Sequence, residues 1–136
     1  MSVSIHIATP DSFDELIAAQ NVLVVVYFWG PDCPNCEVFA RELPELVEAI
    51  SMRSAASPTT PDGYGAAPLI HETDVKIVKV NAYEFPELAR RFALFGIPGF
   101  VLFKDGVKLG MMRQYNGREY WKAVVTEHAR GMGARL

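Results

Sequence analysis

Val22-Leu23-Val24-Val25-Val26-Tyr27-Phe28-Trp29-Gly30-Pro31-Asp32-Cys33-Pro34-Asn35-Cys36-Glu37 joins an apolar run to a pair of cysteines and a helical pattern. Val22 to Trp29 is nearly all β-branched or aromatic, which predicts a buried strand. Pro34 is favoured at the first position of a helix, and Glu37-Val38-Phe39-Ala40 continues with helical spacing. Cys33 therefore stands where a strand ends and a helix begins. Unpaired N–H groups and the positive end of the helix macrodipole stabilise a thiolate there. Cys36 lies three positions on, close enough to close a small disulfide, and the chain has no other cysteine. A Cys-x-x-Cys on a strand-to-helix turn signals thiol–disulfide exchange.

Other readings of the pair are weaker. A structural zinc or iron site needs about four protein ligands, and one Cys-x-x-Cys supplies half of them. His6, His71 and His128 show no ligand-like spacing, so no metal and no other cofactor is expected. A purely structural disulfide closing so short a loop would stabilise little.

The whole chain sets further bounds. Its 136 residues suit one domain with its own core. Half the residues are apolar, 21% are charged and the formal net charge is −3, which argues against a nucleic-acid surface or a polybasic membrane patch. The longest apolar stretch, Val22 to Trp29, is far too short to span a bilayer. Met1 to Ile7 lacks a basic region followed by a long apolar core, so the expectation is a cytoplasmic protein without a secretory signal. In that compartment a cysteine pair is more often catalytic than structural.

Along the chain, Val3 to Ile7 alternates as a short strand, and Thr9-Pro10-Asp11-Ser12 opens a capped helix. The helix from Pro34 carries apolar Val38, Phe39, Leu43, Leu46, Val47 and Ile50, with a kink expected at Pro44. Arg53 to Thr73 is rich in serine, proline, glycine and alanine and predicts a loop insertion at about 53–73. Val75 to Asn81 alternates as a strand, and Pro86 to Phe92 reads as a short helix. Gly96-Ile97-Pro98-Gly99 is a turn before the strand Phe100 to Phe103, and Asp105-Gly106 signals a hairpin into a strand from Val107 to Tyr115. Arg118 to Arg130 closes as an amphipathic helix. Such alternation predicts an α/β domain, a central mixed sheet with helices on both faces.

These residues resemble the thioredoxin family. The resemblance rests on Val24-Val25-Val26-Tyr27-Phe28-Trp29 before the cysteines, on Gly96-Ile97-Pro98, and on Phe100-Val101-Leu102-Phe103-Lys104-Asp105-Gly106. It covers nearly the whole chain apart from the loop and implies the thioredoxin fold over 1–136. It implies that Cys33 is the exposed attacking thiol and Cys36 the buried resolving thiol. It places Pro98 as a cis proline facing the pair, with the backbone at Ile97 bonding an extended substrate segment. Trp29, Asp32, Pro34, Ile97 and Pro98 then form the substrate-binding surface.

The chain also departs from the family pattern. Asp32 stands where tryptophan is usual, Pro34-Asn35 replace glycine and proline, and Glu37 replaces a common lysine. Both acids disfavour a nearby thiolate, though exposed acids are screened by water and salt. Tyr27 occupies the place, six before Cys33, of a buried aspartate that helps deprotonate the resolving thiol. A phenol titrates near pH 10 and is a poor base at neutral pH. Lys79, retained where that aspartate has its lysine partner, is expected to hydrogen-bond Tyr27 or to stabilise a thiolate. Tyr27, Lys79 and Glu37 are thus the candidates for tuning the cysteines. Tyr115-Asn116-Gly117-Arg118 resembles a protein disulfide isomerase segment whose arginine swings toward the cysteines; a solvated first-turn Arg118 is the reading adopted.

The expected activity is that of a thiol–disulfide oxidoreductase exchanging a Cys33–Cys36 dithiol or disulfide with protein disulfides, preferably in the reducing direction. Electrons would come from a thiol reductase or a small thiol, and a monomer is expected. The alternative is a thioredoxin-fold adaptor or chaperone that binds a specific partner without redox turnover.

Overall fold

The computed structural model describes residues 2–55 and 74–134, the side chains of 52–55 and 130–134 excepted. The elements run β1 (Val3–Ile7), α1 (Pro10–Ile17), β2 (Val22–Trp29), α2 (Pro34–Ala55), β3 (Asp74–Asn81), α3 (Pro86–Arg90), β4 (Gly99–Lys104), β5 (Val107–Met112) and α4 (Arg118–Ala134). One mixed sheet takes the order β1-β3-β2-β4-β5. β3 lies parallel to both β1 and β2, whereas β4 runs antiparallel to β2 and β5. β2 is central and covered on both faces, which is why Leu23 to Phe28 is an unbroken buried run and does not alternate.

Each face has its own core. On one, Phe39, Leu43, Leu46 and Ile50 of α2 and Trp121, Val125 and Ala129 of α4 pack on Val25, Tyr27, Ile77 and Phe100. On the other, Phe13 and Ile17 of α1 and Leu88 and Ala89 of α3 cover Val24, Val26, Phe28, Val78 and Val101. Each fully buried large side chain contributes on the order of 2 kcal/mol. α1 begins as its sequence dictates: the Thr9 N–H donates to Ser12 Oγ at 3.0 Å and Pro10 sits in the first turn.

α2 continues through Pro44 to Ala55, so the loop expected from residue 53 begins later; residues 56–73 of that predicted insertion lie outside the described residues. Pro44 is exposed and frees the carbonyl of exposed Ala40, which water can satisfy, while the buried residues line the opposite side. The flanking β3 starts at Asp74, which pairs with Val22 at the end of the sheet opposite Trp29. Other boundaries also moved. α3 ends at Arg90, not Phe92, because Ala93 turns to φ 55° and Leu94 N–H closes back on Ala89 O at 3.1 Å. β5 ends at Met112, not Tyr115, as Arg113 leaves to donate to Ala93 O at 3.0 Å and Tyr115 turns in against Phe39.

Candidate active site

The end of β2 and the start of α2 bring the cysteines together. Asp32 takes φ 56°, a left-handed conformation that aspartate tolerates, and this turns the chain from strand into helix. Cys33 then precedes the first helical residue: its carbonyl accepts the Glu37 N–H at 3.0 Å, and its Sγ accepts the Cys36 N–H at 3.2 Å. A sulfur thus occupies the place where a capping oxygen would satisfy the first free amides. Cys33 and Cys36 are joined as a disulfide with Cα atoms 5.2 Å apart, and Cys33 is 7% exposed against 3% for Cys36. Pro34 is exposed in the first turn.

Across from the pair, the Ile97–Pro98 peptide bond is cis and Pro98 is buried. The Ile97 carbonyl oxygen is 3.7 Å from Cys33 Sγ, within reach of a thiol that donates weakly in the reduced state. Gly30 permits this approach. A Cβ there would lie 2.7 Å from Ile97 Cδ1 and 3.2 Å from the Tyr83 ring. Sequence reading missed Gly30 and Tyr83; the available signal was a glycine directly after an unbroken apolar strand.

Beneath the disulfide lies Tyr27, 2% exposed. Its ring stacks on Phe100 at 5.4 Å and meets Phe39 edge-on at 4.6 Å. Its hydroxyl donates to Cys36 O at 3.4 Å, and it does not accept the hydrogen bond from Lys79 that was one expectation. Lys79, half-buried beside Tyr27 in the β2–β3 register, holds its ammonium 5.5 Å from the ring centre of half-buried Trp29. The flat aromatic face offers a cation a favourable quadrupole, so this alternative partner wins. Burial pushes the Tyr27 phenol up to about 12, so it stays neutral near pH 7 and cannot take a proton from Cys36.

Asp32 and Glu37 are both exposed beside the pair. Arg118 is held away by a two-oxygen contact to Glu45 at 2.8 and 2.9 Å. Glu42 accepts the Tyr115 hydroxyl, and burial together with that acid raises the Tyr115 phenol above its usual range. The cluster ties α2 to the start of α4.

A disulfide capping the helix behind the central strand, faced by a cis proline on the neighbouring loop, is the arrangement of a thioredoxin-fold dithiol protein. The sequence comparisons agree. A model of the family described as Thioredoxin matches residues 4–127, and the chain belongs to the thioredoxin family. It is 27% identical over 104 residues to Thioredoxin 1 of Nostoc sp., covering 76% of this chain and 78% of that one. It is 28% identical over 109 residues to Thioredoxin 1 of Synechococcus elongatus, covering 80% and 81%. Among solved structures, mitochondrial thioredoxin 3 of Saccharomyces cerevisiae in its oxidised form superposes with a TM-score of 0.66 at 22% identity, over 90% of this chain and 94% of that one. Family membership and the cysteine pair at bonding distance make the protein a thiol–disulfide oxidoreductase. No helix among the described residues is long and apolar enough to cross a membrane.

Proposed function

We propose that the protein reduces protein disulfides, with Cys33 attacking and Cys36 resolving. The Cys33 thiolate attacks one sulfur of the substrate disulfide, forming a Cys33–substrate bond and releasing the other sulfur as a thiolate that takes up a proton. Cys36, deprotonated, then attacks Cys33 Sγ, forms the Cys33–Cys36 disulfide and releases the second substrate thiol. The substrate gains two electrons and the protein loses them; a thiol reductase or a small thiol restores the dithiol. Trp29, Asp32, Pro34, Ile97 and Pro98 meet the substrate, with the Ile97 carbonyl 3.7 Å from the attacking sulfur. Glu37, Tyr27 and Lys79 tune the pair from outside and below. The protein acts as a cytoplasmic monomer of one domain, and β3, which follows the loop insertion expected at about 53–73, starts at the sheet end remote from the cysteines.

The observation that carries this reading is the Cys36 N–H aimed at Cys33 Sγ at the start of α2. The amide and the helix N-terminus stabilise a thiolate at Cys33, whereas Cys36 lies inside the helix at 3% exposure. In the reduced protein, limiting iodoacetamide followed by peptide mapping is expected to label Cys33 several-fold faster than Cys36. Equal labelling, or Cys36 first, would overturn the assignment of roles.

A further inference from the structure

Negative charge flanks the attacking sulfur. Asp32 directly precedes Cys33 and is exposed. Glu37, also exposed, follows Cys36 in the first turn of α2, with its N–H on the Cys33 carbonyl at 3.0 Å. A third acid lies at the same end of the sheet. The Ala82 N–H donates to Trp29 O at 2.7 Å, so the turn after β3 abuts the turn that carries Asp32. Exposed Glu84 sits in that turn, its N–H held by Asn81 Oδ1 at 3.2 Å.

Among the described residues none of these acids forms an ion pair; the pairs are Arg91–Asp14, Arg118–Glu45 and Lys122–Glu119. The cations of this end are engaged elsewhere. Lys79 holds its ammonium against the Trp29 ring, Arg113 donates to Ala93 O at 3.0 Å, and Arg118 is clamped on Glu45. Arg90 stands on α3, which packs on the face of the sheet opposite α2.

Local structure accounts for the acids only in part. A left-handed turn accepts asparagine as readily as aspartate, and a first-turn acid suits the helix dipole. Here, however, each charge also opposes the thiolate on which the reaction depends. A cationic substrate reverses that balance. Lysine or arginine beside the substrate disulfide neutralises the acids as it docks, and docking then favours the Cys33 thiolate.

We propose that Asp32 and Glu37 are specificity-determining residues that select polypeptide disulfides flanked by lysine or arginine over those flanked by acids. Glu84 extends the same field. At about 0.1 M ionic strength that field decays over about 10 Å, so the selected cations lie within roughly three positions of the substrate cysteine in an extended segment. The proposal rests on the assignment of Cys33 as the attacking sulfur.

The test compares disulfide-linked peptides in which either lysine or glutamate flanks each cysteine, at about 20 mM and about 500 mM ionic strength. Reduction of each by dithiothreitol, which also attacks as a thiolate, normalises intrinsic reactivity under each condition. At low salt the wild-type dithiol protein is expected to reduce the lysine peptide with normalised kcat/KM about tenfold above the glutamate peptide, mainly through KM. At high salt that preference should fall to about twofold. In Asp32→Asn/Glu37→Gln, with isosteric changes at exposed positions, the low-salt preference should likewise fall to about twofold. Any change in Cys33 reactivity on removing the acids acts on both peptides and cancels in the ratio. Equal normalised rates in the wild type, a preference indifferent to salt, or one that the variant keeps overturns the selection while leaving the redox reading standing. No turnover of either peptide overturns both.

Discussion

Cys33→Ser is expected to lower protein-disulfide reduction at least about a thousandfold, because a serine hydroxyl is neither ionised near neutral pH nor able to form the mixed disulfide. The fold should survive. Cys33 sits at a helix N-cap, where serine is among the best residues, and its oxygen can accept the Cys36 N–H that now reaches sulfur at 3.2 Å. Loss of the short disulfide costs little chain entropy. Insulin reduction monitored by turbidity, with circular dichroism on the same sample, measures both quantities. Retained turnover would mean that the chemistry lies elsewhere in the chain.

Tyr27→Asp is expected to destabilise the protein by about 3–5 kcal/mol, a large share of a typical domain's stability. The substitution removes a ring packed between Phe100 and Phe39 and places a carboxylate where exposure is 2%. Relief depends on Lys79 leaving the Trp29 ring to pair with the new acid, at the cost of desolvating both charges. Urea denaturation gives the loss directly, and adding Lys79→Met to Tyr27→Asp should deepen it. A loss below about 1 kcal/mol would show that the phenol contributes little to the core. In the folded fraction, the carboxylate supplies the neutral-pH base that a phenol near 12 cannot, so release of substrate from the mixed disulfide should quicken.

The architecture was legible because hydrophobic pattern and turn chemistry agreed. The run from Val22 to Trp29 reads as a buried strand by its β-branched and aromatic content, and Pro34 with the apolar spacing behind it reads as a helix start; both elements formed. Where boundaries slipped, long-range contacts decided them. β5 stops where Arg113 finds Ala93 O, a carbonyl 20 residues earlier in the chain, and nothing in Arg113-Gln114-Tyr115 announces this. α2 overruns into 53–55 because Ser51 to Ala55 contains neither proline nor glycine, and local composition further on had suggested an earlier stop.

The site divides in the same way. Cysteine and proline carry their chemistry in the residue type, so Cys33, Cys36 and Pro98 could be named from spacing and family resemblance. Where Gly30, Tyr83 and Phe95 come to lie is decided by how turns aim side chains. Phe95 reads as one more apolar residue until the left-handed Ala93 turns it outward. The competition for Lys79 between a phenol and an indole was likewise a matter of distances, which no sequence pattern records.

The claim that Cys33 attacks and Cys36 resolves is tested most directly by intact-mass and peptide-mapping analysis of Cys36→Ser after incubation with an oxidised peptide substrate. Without the resolving thiol, the mixed disulfide should accumulate as one covalent adduct mapped to Cys33, released by dithiothreitol. Absence of that adduct, with an equivalent one forming on Cys36 in Cys33→Ser, would contradict the account.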